Sequence, residues 1–309
     1  MDSQSRSRAP LAPGAEDRVE WARLWPFAAL HLGCLLVLWV GVSPVAVWTC
    51  VGLYAARMFA ITAFYHRYLS HRSFTAPRWV VFLGTLLAAS SAQRGPLWWA
   101  AHHRRHHRHA DAPGDAHSPL GRGFLWAHVG WFTTRRNFRT DLRLVPDLAR
   151  LPELRWLDRF DLVAPLLLLA TLIGVGEWLR IAAPGLGTDG LQLAVWGFCI
   201  STTALFHVTS MVNSVGHLHG SRPFATGDDS RNSAWLALLT FGEGWHNNHH
   251  WCPGAVRQGF RWWQLDLSFY LLWLLERLRL VRLRPLPARV RVRMRAADRQ
   301  GRRARRRVA

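Results

Sequence analysis

Residues 44–71 read PVAVWTCVGLYAARMFAITAFYHRYLSH. The stretch from Pro44 to Ala63 carries a single charged side chain, Arg57. At 1.5 Å per residue it reaches ~30 Å as a helix, the thickness of a bilayer's hydrocarbon core. Its continuation changes character at once, and His66 and His71 stand where the helix leaves the apolar environment. A membrane helix that delivers imidazoles to the aqueous boundary sets the fold class.

Three other stretches meet the same length criterion: Trp25 to Val42, Leu162 to Ala183 and Leu191 to Asn213. Trp79 to Ala92 is too short to cross. Trp262 to Leu280 is broken by Asp266, Glu276, Arg277 and Arg279, so both read as helices lying in the interface. The 309 residues are half hydrophobic, with 39 basic against 19 acidic side chains and a net charge of +20, and every basic residue is Arg. Residues 64–161 hold 15 Arg and residues 214–309 hold 18, whereas the turn at Ser43 and the loop 184–190 hold none. Cytoplasmic loops collect positive charge, so both termini and the large central loop are expected in the cytoplasm, and the lack of Lys suggests a bacterial cytoplasmic membrane. Arg57 and Arg180 are exceptions, expected to snorkel or to face the bundle interior.

The expected architecture is an all-α integral membrane protein, with four transmembrane helices and a cytosolic helical cap carrying a histidine-rich dimetal site. Residues 1–24 form a polar segment without a secretory signal, 25–281 the membrane domain, and 282–309 a basic tail with too little apolar content to fold. Beside a bilayer such a tail suits an anionic lipid surface rather than nucleic acid. Of four Cys, Cys34, Cys50 and Cys199 fall in apolar runs, and no disulfide framework is implied.

Sixteen histidines occur, and nine have metal-ligand spacing. HRYLSH supplies His66 and His71, HRRHH supplies His103, His106 and His107, and HNNHH supplies His246, His249 and His250. His217 follows Asn213 by four in NSVGH. Positions i, i+3 and i+4 share one helix face, so each HxxHH box aims three imidazoles at one point. His66 and His71, five apart, point about a third of a turn away from each other on an α-helix, which suits a helix end or two neighbouring metals. A tetrahedral zinc takes four ligands, so nine imidazoles fit two ions with four or five nitrogens each. Imidazole suits iron, copper, zinc and nickel alike. His31 and His207 lie in spans and are expected to be packed or hydrogen-bonded. His102, His109, His117, His128 and His219 are assigned to outer positions or the surface. A metal transporter would place its ligands near the bilayer midplane, whereas these clusters lie outside the spans.

HRYLSHR, HHRRHH and GEGWHNNHH, with NSVGH between, resemble the histidine boxes of the membrane fatty acyl desaturases, close to the stearoyl-CoA (delta-9) group and its bacterial relatives. The similarity runs from about Trp48 to Trp263 and includes QRGPLWWAAHH, GFLWAHVGW and GDDSRNS. It implies two irons held by the nine histidines, which use O2 and two external electrons to remove two hydrogens from an acyl chain, with no catalytic side chain beyond the metal centre. A histidine-box hydroxylase is the sister chemistry. The resemblance also implies that Asn213 holds a metal-bound water, that Gln93 and Trp99 line the bend of an acyl tunnel, and that Tyr54 and Met58 close its far end. Met58 stands where the animal enzymes have a small residue, which points to shorter acyl chains.

Soluble di-iron proteins use paired Glu-x-x-His motifs; only Glu243 and His246 have that spacing here, so Glu243 reads as an outer acceptor orienting an imidazole or as a structural cap. Ala101 and His102 replace an Arg-Asp pair that helps bind CoA in the animal enzymes, which leaves the carrier open between acyl-CoA and acyl-lipid. Four scattered Cys cannot ligate an iron–sulfur cluster. Electrons are therefore expected from a separate ferredoxin-, rubredoxin- or cytochrome b5-like donor.

Overall fold

A computed structural model of the chain describes residues 18–292. It is almost wholly helical. In chain order the elements that position the site are α1 (Trp21–Cys34), α2 (Pro44–Ala60) with its π-helical extension Ile61–Ser70, α3 (Arg78–Ala89), α4 (Pro96–His109), α5 (Phe124–His128), α6 (Val163–Ala182), α7 (Ser201–Ser214), α8 (His246–Trp251) and α9 (Leu267–Arg277). One short antiparallel pair joins β1 (Phe74–Thr75) to β2 (Arg282–Leu283), with Phe74 opposite Leu283.

Among the described residues, three continuous helices are long and apolar enough to cross a membrane: Pro44–Ser70, Val163–Ala182 and Gly190–His217. Local chemistry starts them where the sequence suggests. The Ser43 hydroxyl accepts from the Ala46 N–H at 3.1 Å with Pro44 at the first helical position, and Asp189 caps the Gln192 N–H at 2.7 Å. Their outer faces expose Trp48, Leu166, Leu167, Trp178 and Ile181, side chains that lipid rather than water would cover.

The expected first span differs. Helix α1 ends at Cys34, Leu35 and Leu36 bond back three residues to Leu32 and Gly33, and a last helical turn occupies Val37–Val40. The apolar helix is shorter as a result, Leu24–Val40. Gly33 sits where it does because a Cβ there would meet Cys199 Sγ at 2.7 Å, so α1 and the last long helix approach closely.

Two other boundaries move. The interfacial stretch expected over Trp262 to Leu280 is helical only in α9, because buried Asp266 caps the Phe269 N–H at 3.0 Å and turns the preceding residues away. The tail expected to be unfolded from residue 282 begins with β2, and Val290 is fully buried beside Cys252, Ala255 and Phe260. Pairing with β1 satisfies backbone groups that composition alone would leave to solvent. Residues 293–309 of that tail and 1–17 of the N-terminal segment lie outside the described residues.

Arg57 faces the bundle interior. Its guanidinium donates to Ser201 Oγ at 2.7 Å, Thr202 Oγ1 at 2.8 Å and the Ser90 carbonyl at 3.3 Å, tying α2 to α7 and to the end of α3. Arg180 is exposed and pairs with Glu177 at 2.7 Å.

Candidate metal centre and its cavity

The π-helical extension decides the first histidine pair. Here the His71 N–H bonds the His66 carbonyl, five residues back, at 3.3 Å. An i to i+5 turn stacks residues five apart on one side, so the rings lie 4.8 Å apart and serve one group rather than diverging. The α-helical geometry assumed from spacing does not hold at this position.

The nine imidazoles gather in two adjoining groups. Ligand atoms of His66, His71, His103, His107 and His249 lie within 4.8 Å of one another, as do those of His106, His217, His246 and His250. In the first, the Nε2 atoms meet at 2.7 Å for His71 and His103, 3.0 Å for His103 and His107, 2.9 Å for His107 and His249, and 3.1 Å for His66 and His249. In the second they meet at 3.0 Å for His217 and His246 and at 3.3 Å for His106 and His250. The HxxHH boxes divide: His106 leaves His103 and His107 for the second group, and His249 leaves His246 and His250 for the first. His107 and His250, with ring centroids 4.5 Å apart, join the two.

The opposite ring nitrogens explain why these groups suit cations. His66 Nδ1 lies 2.7 Å from Glu243, His106 Nδ1 2.9 Å from Asp115, His217 Nδ1 2.7 Å from Asp111 and His250 Nδ1 2.8 Å from Asp228. A carboxylate accepts Nδ1–H and leaves Nε2 with its lone pair. His106 and His250 then face one another lone pair to lone pair at 3.3 Å, which a metal ion between them relieves. Burial, then neighbouring imidazoles, hold His103, His107 and His249 below the usual histidine range, so they are in the neutral form that ligates. Burial works against a charge on His106, but Asp115 outweighs it and raises that ring.

Glu243 meets His66, not the neighbouring His246, and it also accepts from Gln258 at 2.8 Å. Gly242 and Gly244 flank it because a Cβ at either position would strike Asp266 or the backbone of Ala237. The sequence reading missed the three aspartates. One signal was available: Asp111 and Asp115 are the only acidic residues between 64 and 140, in a strongly basic loop.

A cavity of about 320 Å³ runs past the imidazoles. Its lining joins the imidazoles of His66, His103, His106 and His246 to Met58, Ile61, Thr202 and Phe206. Gln93, Trp99 and Asn213 line it as well. Trp99 stacks on His103 with centroids 5.1 Å apart, and Gln93 donates to Thr209 Oγ1 at 3.2 Å. Ala92 and Arg94, on either side of Gln93, hold positive φ of 55° and 69°, strain localised where the chain turns into the cavity. Tyr54 is not part of the lining. Its hydroxyl donates to the Leu239 carbonyl at 2.8 Å, and its ring packs against the core cluster that contains Met58.

The remaining histidines separate. His109 and His219 are exposed, and His102 and His117 pack against Trp131 with centroids 5.2 and 5.0 Å away. His31, His207 and His128 form a row of their own, with His31 bonded to His207 at 2.9 Å, His207 to His128 at 3.0 Å and His128 to Ser214 at 3.0 Å.

Against known proteins, a family model described as fatty acid desaturase matches residues 42–275. The chain belongs to the fatty acid desaturase family. It is 33% identical over 275 residues to the sn-1 stearoyl-lipid 9-desaturase of Anabaena variabilis, covering 86% of this chain and 94% of that protein. To the sn-2 palmitoyl-lipid 9-desaturase of Nostoc sp. (strain 36) it is 33% identical over 284 residues, 88% and 93% of the two chains. To the acyl-CoA C20 Delta5-desaturase of Anemone leveillei it is 34% identical over 271 residues, 84% and 82%. As a member of a family of membrane-bound desaturase enzymes, the chain brings its buried histidine groups, which are compatible with a metal site, to one end of its apolar helices.

Proposed function

We propose that this desaturase forms a double bond in a membrane acyl lipid, at the delta-9 position, with two irons held by the nine clustered histidines. The observation that carries this reading is the cavity: one largely apolar cavity is lined both by Met58 and by imidazoles from both groups. The lipid carrier and the delta-9 position are taken from the cyanobacterial relatives, whose names specify stearoyl-lipid and palmitoyl-lipid substrates. The missing Arg-Asp pair at Ala101 and His102 agrees with that carrier.

Iron, when bound, supplies the O2-dependent redox chemistry that an unactivated C–H bond requires and that zinc lacks. The protein's own residues do the rest. Glu243, Asp111, Asp115 and Asp228 set the tautomers of four rings so that Nε2 faces inward. Trp99, stacked on His103, and Gln93, held by Thr209, shape the slot so that one C–C bond faces the imidazoles. Met58 and Thr202 limit its depth, and the apolar lining excludes water from the reacting carbons. Asn213, which also lines the cavity, would hold a water at the metal centre.

The proposed topology has four crossings, the broken helix Leu24–Val40 being the first, with both termini on the histidine side. Two contacts support it: the bridge between Val19 and Thr134, and the pairing of β2 with β1 beside the first histidine box. O2 and a separate ferredoxin-, rubredoxin- or cytochrome b5-like donor complete the reaction. The test is expression in a host without delta-9 activity, followed by lipid analysis and metal assay. Accumulation of delta-9 unsaturated lipid, with about two irons per chain, is expected. Hydroxylated acyl chains, or unchanged lipid from an iron-loaded protein supplied with O2 and reductant, would overturn the assignment.

A further inference from the structure

The two histidine groups differ in what stands behind them. In the four-histidine group, three of four rings meet a buried carboxylate: His106 with Asp115, His217 with Asp111 and His250 with Asp228, at 2.9, 2.7 and 2.8 Å. In the five-histidine group, His66 alone among the described contacts does so, with Glu243 at 2.7 Å. That carboxylate is shared with the buried guanidinium of Arg67 at 3.2 Å.

The three aspartates are built into place. Asp111 accepts from the Asp229 N–H at 2.8 Å and the Ser118 hydroxyl at 2.6 Å. Asp115 accepts from the N–H groups of Asp111 and His117 at 3.0 and 3.2 Å, and Asp228 from the Ser230 N–H at 2.9 Å and the Thr226 hydroxyl at 3.0 Å. None can swing away from its imidazole without abandoning those bonds.

A carboxylate on Nδ1–H raises the donor strength of Nε2. It also places negative charge close to the ion in surroundings of low dielectric. Both effects act in one direction. We propose, on the reading above in which each group holds one ion, that Asp111, Asp115 and Asp228 make the two ions inequivalent: the four-histidine group fills first and empties last. The five-histidine group has one more imidazole, but that donor is neutral. Outer-shell partners each change metal affinity by roughly ten- to hundredfold, so two additional carboxylates favour the four-histidine group by about 10² to 10⁴. Arg67 cancels part of what Glu243 adds on the other side.

The experiment uses the purified full chain, stripped of metal and supplied with Co2+ below one ion per chain, with crystals measured at the cobalt absorption edge. Anomalous density is expected among His106, His217, His246 and His250, with the second position filling only as Co2+ approaches two per chain. Equal density at both positions, or first filling among His66, His71, His103, His107 and His249, overturns the inference. Failure to take up two ions in excess Co2+ overturns the dimetal reading instead, so the two failures are distinct.

Release to a chelator provides the second measurement. Two phases of one ion each are expected; Asp228→Asn should speed the slow phase by roughly tenfold or more, Asp228→Glu should restore part of it, and Glu243→Gln should speed the fast phase alone. A merely structural role for Asp228 would accelerate both phases together, and that result also overturns the inference.

Discussion

If the cavity takes the acyl chain as proposed, Met58 is the side chain that sets the length it accepts. Met58 is 1% exposed, lines the cavity and stands eight residues before His66 on the same continuous helix. Met58→Ala removes three heavy atoms from the closed end and makes room for about two more methylenes, each worth ~0.8 kcal/mol when buried. The gain of ~1.6 kcal/mol corresponds to roughly a fifteenfold rise in the ratio of stearoyl- to palmitoyl-derived product. The same substitution costs about 2–5 kcal/mol of stability as a buried large-to-small change, so total activity is a poor readout. A competition assay avoids this, because both acyl lengths meet the same folded molecules in one membrane preparation. Tyr54→Ala is the control: its ring is outside the cavity lining, and the ratio should not move. A Met58→Ala ratio within twofold of wild type, or a shift of equal size in Tyr54→Ala, would refute the reasoning.

Other outcomes are open to measurement. His103→Ala, His107→Ala and His250→Ala should each reduce metal content and product at least tenfold, since even an outer partner of a ligand costs that much; near-normal iron in any of them removes that ring from the centre. His207→Ala leaves ring nitrogens of both His31 and His128 without a partner, about 1–3 kcal/mol for buried His128 and less for half-buried His31. It should lower the thermal midpoint in detergent while iron per folded chain stays constant, and an unchanged midpoint would argue against the row. Burial, then the nearby imidazoles, hold His71, His103, His107 and His249 below the ordinary histidine value. Unfolded histidines take up protons near pH ~6.5 and these do not, so below that pH the unfolded state binds more protons and stability falls with acid. Metal release on acidification should accordingly be centred below that value, and release at or above it would contradict the burial.

Most of the chemistry was legible in the sequence because it is written locally. The apolar runs and the i, i+3, i+4 histidines depend on neighbours within one or two helical turns, and the Arg asymmetry on composition alone, whereas the imidazole that Glu243 accepts from is His66, far away in the chain. What distance in the chain conceals was decided by tertiary structure. The division of each HxxHH box between two groups requires α4 and α8 to bring their histidines together, since His107 meets His249 across 142 positions. The pairing of Asp111 with His217 across 106 positions depends on the loop after α4 reaching the end of α7. The sharing of one group by His66 and His71 rests on a π turn, a backbone state that packing imposes and that no propensity announces. The Tyr54 hydroxyl finds its acceptor in the Leu239 carbonyl, 185 positions away. Residues 282–292 are ordered by a partner strand beside the first histidine box and by a buried pocket for Val290 formed just after the third. Local pattern determines which groups are available and what each one can do; only the folded chain determines which of them meet.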